Sequence, residues 1–85
     1  MTTATMTVQV RYFAAAAEAA GLDSETISAP TLGGLLEQAV SVHGADLGRV
    51  LERCSILIDG ERTDDPEAPL RDGQMVDVLP PFAGG

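Results

Sequence analysis

Apolar and polar side chains alternate in two segments, one near each end of the sequence. Between residues 5 and 13 every second side chain is apolar, and the set comprises Met6, Val8, Val10 and Tyr12. A period of two is typical of a β-strand with one buried face. Residues 74–79 alternate in the same way through Val76 and Val78, so a last strand is predicted there.

Two shorter β segments are predicted between these strands. One surrounds Thr26-Ile27 and stops before Pro30, because the residues ahead of a proline are restricted in conformation. The other covers residues 54–59 and finishes at Asp59-Gly60, a strong turn signal. Residues 64–69 are polar without a period and predict a loop, and Arg71-Asp72-Gly73 marks another turn.

Helical patterns occupy the intervening segments. The alanine-rich residues 14–20 stop at Gly21, which predicts a short helix. After Thr31, a suitable N-cap, apolar side chains recur at helical spacing as far as His43 and predict the main amphipathic helix. A further short helix is predicted to begin at an Asp46 N-cap. Its inward face would carry Leu47, Val50 and Leu51.

The order of elements is strand, helix, strand, helix, short helix, strand, loop and strand. One mixed sheet packed on one main helix is the simplest architecture that buries all the apolar faces together, so the predicted fold class is α+β. We expect one domain over residues 1–79 and a flexible tail over 80–85, since Pro80-Pro81 must end the last strand. The predicted core comprises Met6, Val8, Val10, Leu35, Leu36, Val40, Ile56, Ile58, Val76 and Val78.

The net charge of the chain limits the classes of partner that it is expected to bind. The chain has 13 acidic and 5 basic residues and a formal net charge of −8, which disfavours nucleic acid as a partner. The charge either steers the chain towards a basic protein surface or merely keeps a small domain soluble. All five basic residues are arginine, so no side-chain amine can accept an isopeptide bond. The apolar stretches are too short to span a membrane, and the single cysteine, Cys54, fits a reducing compartment. We therefore expect a soluble, cytoplasmic protein.

Few internal residues offer chemistry. One histidine and one cysteine cannot form a tetrahedral zinc site, and the acidic residues 64–67 lack the spacing of a calcium loop. The Gly33-Gly34 pair lacks the other elements of a phosphate-binding loop and is interpreted as structural. His43 is expected to pack at a helix end, and Cys54 to be a small buried side chain. We expect no metal, no bound cofactor and no catalysis by the chain alone.

The C-terminus is the remaining candidate reactive group. A terminal carboxylate is anionic at neutral pH and is a poor electrophile until another enzyme activates it. Gly84 and Gly85 have no Cβ and could pass through a narrow cleft in a partner. A frayed terminus that happens to be glycine is the alternative on composition alone. An apolar strand, Pro80-Pro81 and Phe82-Ala83-Gly84-Gly85 together indicate a projecting arm with a flexible end.

Three segments carry a family resemblance, and they span nearly the whole chain. They are Val10-Arg11-Tyr12-Phe13-Ala14 leading into a helix that ends Ala20-Gly21, the turn Leu70-Arg71-Asp72-Gly73, and the ending Val78-Leu79-Pro80-Pro81-Phe82-Ala83-Gly84-Gly85. The chain resembles the sulfur-carrier family that contains the small subunit of molybdopterin synthase and the thiamin-pathway carrier. The resemblance implies a ubiquitin-like β-grasp fold with an extra short helix between the first two strands. That helix favours the molybdopterin branch. Asp59, where these carriers commonly have asparagine, and the lack of lysine are departures from the family pattern.

The resemblance also implies a reaction. An E1-like, ATP-dependent enzyme would adenylate Gly85, and sulfur would then replace AMP to give a C-terminal thiocarboxylate. In the molybdopterin branch, the sulfur passes within the large subunit to the dithiolene of the pterin. Related carriers serve cysteine, thiamin or sulfur natural-product synthesis instead. Two other classes stay open: a ubiquitin-like modifier conjugated through Gly85, and a non-covalent β-grasp interaction domain.

Candidate partner-binding residues follow from strand alternation and from the tail. Arg11, Leu57, Met75 and Leu79 are predicted to face away from the core and to form a partner-binding sheet face. Phe82, Ala83 and Gly84 are expected to guide the tail into partner sites, with Gly85 as the reacting residue.

Overall fold

A computed structural model describes residues 7–81 of the 85-residue chain. The elements in chain order are β1 (Val8–Tyr12), α1 (Ala15–Ala20), β2 (Ser24–Ile27), α2 (Leu32–His43), α3 (Ala45–Leu51), β3 (Ser55–Ile58), β4 (Glu61–Thr63) and β5 (Met75–Leu79). The strands form one mixed sheet in the order β2-β1-β5-β3-β4. β1 and β5 are parallel, whereas the other neighbouring pairs are antiparallel. The sheet topology therefore places β5 in the centre.

The predicted end of α1 and the predicted start of α2 are both confirmed. α1 ends because Gly21 adopts φ 82°, and its N–H donates to the Ala17 carbonyl at 2.8 Å. α2 begins at the predicted cap, where the Thr31 hydroxyl oxygen accepts a hydrogen bond from the Gly34 N–H at 3.2 Å. Its C-cap is Gly44. Local propensity and capping thus determine these two elements.

The predicted Asp46 N-cap is wrong. α3 begins at Ala45, with Gly44 as its N-cap at φ 109°, so Asp46 lies in the first helical turn. Gly44 both ends α2 and begins α3, and this leaves no linker in which Asp46 could cap. Its carboxylate instead pairs with Arg49, one turn further along the same surface. The predicted inward face is confirmed, with Leu47 buried and its two neighbours half-buried.

β4 was not predicted from the pattern of residues. The turn at Asp59-Gly60, by contrast, is predicted from the sequence and is confirmed. Both residues have positive φ, 51° and 87°, as a two-residue type I′ hairpin requires. The turn sends residues 61–63 back along β3, with Glu61 opposite Ile58 and Thr63 opposite Ile56. Three polar residues carry no apolar alternation, so the hairpin turn was their only indication of a strand.

The core lies between the helices and one face of the sheet. Of the predicted core residues, Val8, Val10, Leu35, Ile56, Val76 and Val78 are buried. Three others, Leu36, Val40 and Ile58, are only half-buried, and Met6 lies outside the described residues. Leu36 and Val40 line a groove between α2 and α3, so both side chains stay partly exposed. Other buried side chains include Tyr12, Leu32, Ala39, Leu47 and Leu70.

The Gly33-Gly34 pair has a packing role. The Gly33 N–H donates to the Pro66 carbonyl at 2.8 Å, and a Cβ on Gly33 would lie 3.1 Å from the same oxygen. A contact that close would force the backbone of the 64–69 loop to shift. The glycine lets the loop pack against the first turn of α2, so the structural interpretation is confirmed.

A polar cluster joins β1, β2 and the end of α2. The Tyr12 hydroxyl donates to Glu25 Oε2 at 2.6 Å, and His43 Nε2 lies 2.7 Å from the same oxygen. The Tyr12 and His43 rings pack edge to face, with centroids 6.2 Å apart. Burial, reinforced by the hydrogen bond to Glu25 and its charge, raises the pKa of Tyr12 above its ordinary value.

This pKa shift predicts a loss of stability at alkaline pH. The unfolded chain releases the tyrosine proton near pH 10 while the folded chain retains it, so stability is full below about pH 10 and falls as pH rises further. We expect Tyr12→Phe to lower the free energy of unfolding by about 1–2 kcal/mol at neutral pH. The difference from the parent should shrink above pH 10. Urea unfolding across the pH series measures it, and a constant difference would contradict the prediction.

Candidate functional site

The described part of the chain ends two residues after β5, the most firmly held strand of the sheet. β5 pairs with β1 from Gln9↔Met75 to Tyr12↔Val78 and with β3 on its other edge. Beyond Leu79, Pro80 is half-buried and Pro81 is exposed. Paired strand edges and the terminating prolines fix the position of the chain as far as Pro81. The predicted site residues Phe82, Ala83, Gly84 and Gly85 lie outside the described residues, and their roles stay predictions.

Asp59 holds the beginning of the same strand. Its Oδ1 accepts a hydrogen bond from the Met75 N–H at 2.9 Å, and its Oδ2 accepts one from the Gln74 side chain at 3.1 Å. Its own N–H donates to the Met75 carbonyl at 2.8 Å. An asparagine could make the Oδ1 contact and also tolerates positive φ. The departure from the family pattern at this position therefore keeps the local geometry.

The predicted sheet-face residues do share one face, here called the open face. It is the side of the sheet opposite the helices, and strand register places Arg11, Leu57, Met75 and Leu79 on it. Arg11 is exposed, and the three apolar side chains are half-buried. Their placement is confirmed. Their role in partner binding stays a prediction.

Asp77 is the central residue of the open face, and it is not among the site residues predicted from the sequence. Arg11 Nε and Nη2 donate to its two carboxylate oxygens at 2.7 and 2.9 Å. The Asp77 side chain is 13% exposed, so the pair is shielded on the aspartate side. Alternation in β5 could have identified it, since Asp77 stands between Met75 and Leu79 on their face.

This ion pair fixes the direction of Arg11. The hydrogen bonds that Arg11 donates to the Asp77 carboxylate raise the pKa of Arg11 above its ordinary value, so the guanidinium stays cationic. Its carbon lies 5.7 Å from the centre of the partly exposed Phe13 ring, within the range of a cation–π contact. The open face thus has a rigid polar centre, with apolar side chains on β3 and β5 beside it.

Other groups in residues 7–81 offer little chemistry. The described chain contains no grouping of three or more histidine, cysteine or acidic side chains that could hold a metal ion. Burial raises the pKa of the Cys54 thiol, which disfavours the reactive thiolate, and its sulfur contacts the Val50 carbonyl. None of the helices over residues 7–81 has the length and apolar character needed to cross a membrane.

The chain is similar to known proteins in both sequence and fold. A model of the ThiS family matches residues 10–85. A relative described as the molybdopterin synthase sulfur carrier subunit of Chlamydomonas reinhardtii is 36% identical over 88 residues, covering 94% of this chain and all of the relative.

Two solved structures share the fold of this chain. One chain from the complex of subunits 1 and 2 of the molybdopterin-converting factor of Helicobacter pylori is 30% identical, with a TM-score of 0.69, covering 94% of this chain and 100% of that one. Small archaeal modifier protein 1 of Methanosarcina acetivorans has a TM-score of 0.82 at 24% identity, covering 98% and 100%, and this likeness concerns the fold alone. The predicted ubiquitin-like β-grasp fold is confirmed.

Proposed function

Because the chain belongs to the ThiS family, we propose that it is a sulfur carrier that works through a thiocarboxylate at Gly85. The observation that carries the proposal is the extent of the family match, which runs through the last residue rather than stopping at the folded domain. The fixed root of the arm on β5 supports it, because a partner that binds the domain then receives the tail from a defined position.

The proposed loading has two steps. A carboxylate oxygen of Gly85 attacks the α-phosphorus of ATP on an E1-like enzyme, and pyrophosphate leaves. A sulfide-level nucleophile then attacks the acyl carbon, and AMP leaves with that oxygen. Adenylation is needed because a carboxylate at neutral pH is anionic and resists attack by another nucleophile. ATP is a substrate of the activating enzyme and not a cofactor of this chain.

We propose the molybdopterin branch as the recipient pathway. The relative from Chlamydomonas reinhardtii supports this choice, since its description is that of a molybdopterin synthase sulfur carrier subunit. The complex from Helicobacter pylori supports a second subunit as partner. The chain would thus be the small subunit of molybdopterin synthase, delivering sulfur in the cytoplasm to a pterin held by the large subunit.

The open face is the proposed docking surface for these partners. Leu57, Met75 and Leu79 supply apolar contact area, and the Arg11–Asp77 pair provides fixed polar groups among them. Interfaces of this kind combine a few apolar anchors with oriented polar groups.

Intact-mass analysis of the chain isolated from its own cells tests the carrier function. We expect a fraction heavier by the difference between one sulfur and one oxygen atom, with the gain located at Gly85. Gly-Gly remnants on lysines of other proteins, without any sulfur gain, would instead favour the modifier. An unmodified terminus together with no Gly-Gly remnants, under conditions of active cofactor synthesis, would count against both.

A further inference from the structure

An apolar groove runs between α2 and α3, on the helical side of the sheet and away from the open face. Its volume is about 530 Å³, and its apolar walls are formed by Leu36, Val40 and Leu51. All three side chains are half-buried, although helix-helix contacts normally cover such residues. The groove therefore exposes apolar surface that residues 7–81 leave uncovered.

A glycine in α3 keeps this groove open. Gly48 lines it, and a Cβ at this position would lie 3.5 Å from Val40 Cγ1, an ordinary van der Waals contact. Packing therefore does not require glycine, and its backbone does not have positive φ. A glycine within a helix costs about 1 kcal/mol relative to alanine. What the glycine provides is space between the two helices.

The edge of the groove is acidic. Glu37 on α2 and Glu52 after α3 both line it, and both are exposed. Among the described residues that line it, none is cationic, although Glu52 also lines a neighbouring depression with Arg49, Val50 and Arg53. The groove thus combines an apolar floor with two exposed carboxylates, neither of which forms an ion pair among residues 7–81.

We propose that this groove docks a short segment of a partner protein that carries aliphatic or aromatic side chains flanked by lysine or arginine. The apolar side chains fill the space above Gly48 and contact Leu36, Val40 and Leu51. The cations approach Glu37 and Glu52, whose charge selects against acidic segments. Because the groove lies on the opposite side from the open face, one carrier can hold this segment while a second protein engages its sheet.

Nuclear magnetic resonance titration of the full chain tests the proposal. The probe is a capped, twelve-residue peptide of leucine and lysine. Two comparison peptides replace every leucine by serine or every lysine by glutamate. We expect saturable shifts of the amides of Leu36, Val40, Gly48 and Leu51 with the first peptide alone, since binding requires both apolar and basic side chains.

Substitutions in the groove and elsewhere on the surface test whether the peptide binds in the groove. Glu37→Gln combined with Glu52→Gln should weaken binding about tenfold, whereas Glu18→Gln with Glu67→Gln, two exposed positions elsewhere, should leave it unchanged. Gly48→Leu should fill the groove and remove saturable binding, with its fold checked by circular dichroism. Equal weakening by both glutamine pairs, shifts spread over the whole acidic surface, or binding of the serine peptide would each overturn the proposal.

Discussion

Deleting Gly85 is expected to abolish sulfur loading while leaving the free energy of unfolding unchanged. The reacting carboxylate would then belong to Gly84 and would fall short of its former position by up to about 3.5 Å, one residue of extended chain. Displacements of even about 1 Å at a reacting centre reduce rates by about a hundredfold. Stability should not change, because the buried side chains of the described fold end at Val78.

Reconstitution with the activating enzyme, ATP and a sulfur source, followed by intact-mass analysis, measures the loaded fraction. Deletion of Thr2 is a matched one-residue change at the other end of the chain and should load normally. Gly85→Ala retains the chain length but places a methyl group beside the acyl carbon, so it should load more slowly than the parent. Full loading of the shortened chain would show that sulfur is not carried at this carboxylate.

The helices and the main strands could be predicted because each has a local cause. Thr31 caps α2 through its own side chain, and Gly21 ends α1 through a conformation that few other residues adopt. The alternation in β1 and β5 assigned the buried faces correctly, since a register shift by one residue would have turned valines to solvent. The same alternation placed Arg11, Leu57, Met75 and Leu79 together on the open face.

The features that could not be predicted from the sequence depend on residues distant along the chain or on how neighbouring elements pack. β4 exists because the Asp59-Gly60 turn returns the chain to β3, not because residues 61–63 favour a strand. Asp77 becomes the centre of the open face only through Arg11, which the parallel β1–β5 pairing brings alongside. Leu36 and Val40 follow the helical period, but whether they are covered depends on how α3 crosses α2. Periodicity identifies a face and cannot reveal what packs on it.

Exchanging Leu57 and Met75 for aspartate is expected to weaken binding of the proposed large subunit by about a hundredfold or more, without unfolding the chain. Both side chains lie on the open face and are only half-buried, so their replacement leaves the core untouched. Apolar side chains that act as hot spots at the centre of an interface contribute about 2 kcal/mol or more each. Isothermal titration calorimetry with the large subunit measures the change in affinity.

The neighbours of Leu57 require a second variant. Asp77 lies opposite it on β5 and Arg62 on β4, so a new carboxylate would face one like charge and one opposite charge. Serine at both positions removes the apolar contacts without adding charge and should weaken binding in the same direction. Val42→Asp, an equivalent exchange at a 73% exposed position on α2, is the control and should bind normally. If all three variants bind like the parent, the open face does not dock the large subunit, and the tail alone must account for binding.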